Sequence, residues 1–66
     1  MELERLVKED YNESVVQFIV YYDGKFVDST MFSKHNPPKE ELLNSWKTSV
    51  IERHLKSQMS RLLGIL

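Results

Sequence analysis

Arg53, His54, Lys56 and Arg61 are the residues whose types and spacing best suit chemistry, and that chemistry would be grip on an anion. Guanidinium groups eight positions apart stand about 12 Å apart along a helix, a spacing that can hold phosphates or nucleic acid. Three bases on one segment nevertheless fall short of the dense basic stripe of a duplex reader. The plainer reading is the wet side of an amphipathic helix. Tyr21, Tyr22 and Phe26 offer a second chemistry, stacking on exposed bases. Cross-strand aromatic pairing explains them equally well, and Asp23 and Asp28 nearby would repel phosphate.

Catalysis finds little to use. Serine, histidine and aspartate all occur, but in no nucleophile context, and 66 residues struggle to enclose a substrate pocket. The chain has no cysteine, which excludes disulfides, thiolate metal sites and thiol catalysis. His35 and His54 lie far apart, with no partner at metal-ligand spacing. Two glycines are too few for a phosphate-cradling loop. The expectation is a protein that is not an enzyme and needs no cofactor or metal.

These residues must be positioned by few elements. Leu3, Leu6 and Val7 fit helical spacing, with acids early and Lys8 late, so residues 1–10 are expected as a short helix. A short strand is the alternative, since two or three helical turns are marginal alone. Tyr11–Ser14 reads as a loop. Val15–Tyr22 is rich in β-branched and aromatic residues and reads as a strand. Asp23-Gly24 is a type I′ turn pair, and Lys25–Phe32 returns antiparallel. A regular ladder would pair Tyr22 with Lys25, Tyr21 with Phe26, Val20 with Val27, Phe18 with Ser29 and Val16 with Met31. The core face would then show Val16, Phe18, Val20, Tyr22, Val27 and Met31. The other face, with Val15, Ile19, Tyr21, Phe26 and Phe32, is too apolar to stand in water unaided, so a helix, a third strand or a partner should cover it.

Asn36-Pro37 reads as a helix start, with Asn36 as cap and Pro37 in the first turn. The helix should run to about Leu63, where Gly64 ends it. Its apolar stripe changes sides. Leu42, Leu43, Trp46 and Val50 share one arc, with Trp46 the expected anchor on the hairpin. Ile51, Leu55, Met59, Leu62, Leu63 and Leu66 share another, offset by about half a turn. Thr48, Ser49 and Val50 are modest helix formers at the switch, so a kink or break near Ser49 is expected.

The fold expectation is therefore one small α+β domain over residues 1–66. It has a short N-terminal helix, a two-stranded antiparallel hairpin, and a long or kinked C-terminal helix. Residues 1–50 form the core and residues 51–66 an amphipathic segment for oligomerisation or partner binding. So small a chain without disulfide or metal leans on oligomerisation. Ile51, Leu55, Met59, Leu62, Leu63 and Leu66 are the expected interface, in a partly heptad pattern. Net charge is −1, yet residues 1–32 carry seven acids and three bases, and residues 33–66 six bases and three acids. The halves should attract one another. No membrane span or leader pattern is visible, which points to a soluble, cytoplasmic protein. Function is expected to be non-catalytic protein–protein interaction by a homo-oligomer, in the manner of small inhibitors, adaptors and assembly factors, viral and phage ones among them. The alternative is a dimeric nucleic-acid-binding regulator using Arg53, His54, Lys56 and Arg61.

Overall fold

Val15–Tyr22 is the segment with the strongest strand signal, and it becomes the central strand of a three-stranded antiparallel sheet. A computed structural model describes residues 3–64. The strands are β1 (Glu4–Asp10), β2 (Val15–Tyr22) and β3 (Lys25–Ser33), in spatial order β1-β2-β3, followed by one helix, α1 (Glu40–Leu63). The class is α+β, as expected, but three parts of the chain differ from the sequence reading.

The first is β1, which replaces the expected N-terminal helix and makes three strands rather than two. Ten residues gain little from helix formation alone, whereas a strand satisfies the open edge of β2 and sets Leu6 beside Val20. The four-residue connection Tyr11–Ser14 closes this hairpin. The Asn12 side-chain oxygen accepts from the Ser14 and Val15 amides, both at 2.8 Å, and the Tyr11 and Asn12 amides donate to the Val15 carbonyl. Asn12 is thus the residue that turns the chain.

The second difference is in β3. The turn is as expected, with Asp23 at φ 52° and Gly24 at φ 75°. Tyr22 pairs with Lys25 and Tyr21 with Phe26, but Val20 pairs with Asp28 rather than Val27. A bulge at Val27 adds one residue to β3 and moves everything after it to the opposite face. Phe18 therefore faces Thr30, Val16 faces Phe32, and Gln17 faces Met31. Phe32 joins the inner face, edge-on to Phe18 with ring centroids 5.9 Å apart. Met31 moves to the outer one.

The linker and α1 also depart from expectation. Helix starts at Glu40, with Lys39 flanking it and no side-chain cap, instead of at Asn36-Pro37. Pro38 explains this: the residue before a proline is driven from the α region, so Pro37 cannot open a helix. Glu40 and Glu41 still occupy the first turn, at the positive end of the dipole. From there α1 is a single helix through Thr48, Ser49 and Val50, with no break. Those residues cost only tenths of a kcal/mol each in a helix, and the sheet packs on α1 at this very point. Val50 and Ile51, each 3% exposed, close on Val20, which is 0% exposed, with Leu6, Tyr22, Val27 and Trp46 around them. The two stripes meet at Val50 and Ile51, which share the core.

Candidate interaction surface

Covering one sheet face leaves much of α1 exposed and the other sheet face with no described element over it. The helix packs on both β2 and β3 and brings His54 edge-on to Tyr22, beside the Asp23-Gly24 turn, at 6.0 Å. Its last turns carry the molecule to a long dimension of 48 Å against 22 and 20 Å. Leu55, Met59, Leu62 and Leu63 are all exposed there, Leu62 at 79%. They fall within an arc of about 100°, turned away from the side that bears Val50. Ile51, placed with them in the sequence reading, is buried in the core instead, and Leu66 lies outside the described residues.

The four anion-contact candidates do not form one cluster. Arg53 and His54 line a shallow open groove of about 270 Å³ with Val27, Asp28, Val50 and Ser57. Arg61 lies two turns further on, exposed, and Lys56 is exposed on a different side of the helix. Asp28, of opposite charge, lines the same groove as Arg53. Among the described residues no group of three or more His, Asp or Glu side chains is placed to hold a metal ion. No described helix is long and apolar enough to cross a membrane.

The outer sheet face is the surface that sequence reasoning missed in part. Cross-strand partners share a face, so β1 contributes Arg5, Val7 and Glu9, β2 contributes Val15, Gln17, Ile19 and Tyr21, and β3 contributes Phe26, Ser29 and Met31. Tyr21 and Phe26 meet edge-on at 6.4 Å. Phe26 is 61% exposed and Met31 48%. Ile19 is buried among its sheet neighbours, although α1 lies on the far side. Val7 and Met31 were not placed on this face because their positions depend on β1 being a strand and on the bulge. Two salt bridges are present among the described residues, Lys34–Asp10 at 3.4 Å and Lys47–Glu4 at 3.6 Å, and both use residues of the inner face or its rim. Arg5 and Glu9 take part in neither.

No known family model matches the chain, and neither characterised proteins nor solved structures give a match to it.

Proposed function

We propose that this chain is a non-catalytic interaction module that works as a homo-oligomer, in the manner of a small inhibitor, adaptor or assembly factor. One observation carries the reading: Leu55, Met59, Leu62 and Leu63 lie exposed on one side of α1, beyond the part that packs on the sheet. Burying four large side chains would contribute several kcal/mol at about 25 cal/mol per Å², on the scale of the whole stability of a domain this small. Among the described residues, none of the four belongs to the core cluster or packs against it.

Sedimentation of Leu55→Asp and Leu62→Asp beside the wild type tests this. Both changes should lower the mass of the assembly, whereas Arg53→Ala and Arg61→Ala should leave it unchanged. An unaltered mass for both aspartate variants overturns the reading. The alternative, nucleic-acid binding through the basic helix, has weaker support, because Arg53, Lys56 and Arg61 spread over about 140° of the helix. It would show as binding that falls steeply with salt and weakens in Arg53→Ala and Arg61→Ala.

A further inference from the structure

The helix-free face of the sheet is complementary to itself, and we propose that a second copy of the chain covers it, face to face. Strand register sets the pattern. Val7, Ile19 and Ser29 are cross-strand partners and form a central row. On the side of the Asp23-Gly24 turn lies the row Arg5, Tyr21, Phe26; on the other side lies Glu9, Gln17, Met31. A two-fold axis along the central row turns each copy's first outer row onto the partner's second. Arg5 then meets the partner's Glu9, Tyr21 the partner's Gln17, and Phe26 the partner's Met31, each contact occurring twice. These are an ion pair, a hydroxyl against an amide, and a sulfur against a ring. Val7 and Ile19 pack on their own counterparts.

Charge selects this axis over the other simple choice. A two-fold axis along β2 would set β1 on the partner's β3, with Glu9 pressed on Met31 and Arg5 on Phe26. That leaves a carboxylate desolvated without a partner. Nor can the two charges satisfy one another within a chain. Four residues apart on one strand, they stand about 13 Å apart. Packed sheets sit about 10 Å apart and about 30° out of alignment, offsets that arginine, glutamate and methionine side chains span. Three strands of this length give a face of roughly 14 by 26 Å, about 360 Å² per copy and below the size of a standard specific interface, so the dimer should be weak and dissociate at about ten micromolar or above.

This assignment rests on the reading that the chain works by association, and it names the sheet rather than α1 as one self-contact. Two distinct contacts imply that the sheet pairs two copies and α1 joins the pairs. The Leu62→Asp protein isolates the sheet contact and should sediment as a dimer. In that background Arg5→Glu or Glu9→Arg sets like charges against each other twice and should weaken dimerisation by about tenfold or more. The double variant Arg5→Glu/Glu9→Arg should restore it to within about threefold. As the chain has no native cysteine, Val7→Cys in the same background should cross-link to itself with a short bis-maleimide, and Arg5→Cys should not. A monomeric Leu62→Asp protein overturns the sheet assignment and leaves the α1 contact standing. Single charge variants without effect, or a double variant as weak as the singles, overturn it equally. If Leu62→Asp matches the wild-type mass while the charge variants dissociate, the α1 contact fails and the sheet contact holds.

Discussion

The two faces of this sheet are built from similar stock and meet opposite fates. The inner face buries Val16, Phe18 and Val20, with Val20 closed by Val50 and Ile51 of α1; the outer face presents Ile19, Tyr21, Phe26 and Met31, with no described element over it. One helix covers one face. The difference lies less in hydrophobicity than in what decorates it. The outer face carries Arg5 and Glu9 at symmetric positions about Val7. On the inner face the Glu4 carboxylate is bound to Lys47 on α1, and Asp10 to Lys34 in the linker. Lys8, Lys25 and Asp28 also belong to the inner face by register and join neither bridge, so the contrast is one of anchoring. The inner face ties two of its charges to α1 and the linker, and the outer face ties neither Arg5 nor Glu9 to another element.

Truncating the inner face should have the largest effect. Ile51→Ala removes a side chain 3% exposed and should cost about 2–4 kcal/mol, read as a fall in the urea midpoint of dilute protein. A loss no larger than that of a surface change would mean that α1 does not seal the core where described. Next comes Gly24→Ala. Space is open around a Cβ there, so the φ of +75° alone sets the cost, about 1 kcal/mol in the same assay. Asn12→Ala removes the acceptor for two amides and should cost about as much, approximately 1 kcal/mol. Smallest is Leu62→Asp, at a position 79% exposed, which should alter the stability of dilute protein by less than about 0.5 kcal/mol. Its effect belongs to assembly alone, and a large loss of monomer stability would blur the contrast between covered and uncovered surface.

Much of this was legible in the sequence, for local reasons. Val15–Tyr22, the Asp23-Gly24 turn and the long helix each carry their own signal within a few residues. β1 does not, because Leu3, Leu6 and Val7 suit helix and strand alike, and the choice falls to the open edge of β2. The bulge at Val27 has no glycine to announce it, so Met31 and Phe32 exchange faces unseen. The stripe on α1 reads as two, but Ile51 of the second lies in the core with Val50, and a helix needs no break when the rest of that stripe stays exposed. Consequences reached the site as well. In a helix Arg5 and Glu9 would sit one turn apart and satisfy one another; in a strand they stand on one face out of each other's reach. Only with β1 as a strand does the outer face show its symmetry.

The claim beneath all of this is that closing the core leaves apolar surface which the chain covers with further protein. Sedimentation velocity of the wild-type chain, followed from low micromolar to near-millimolar concentration, tests it most directly. The account predicts a mass that climbs with concentration from 7.8 kDa to whole multiples of it. A single species holding at 7.8 kDa across the range would contradict it.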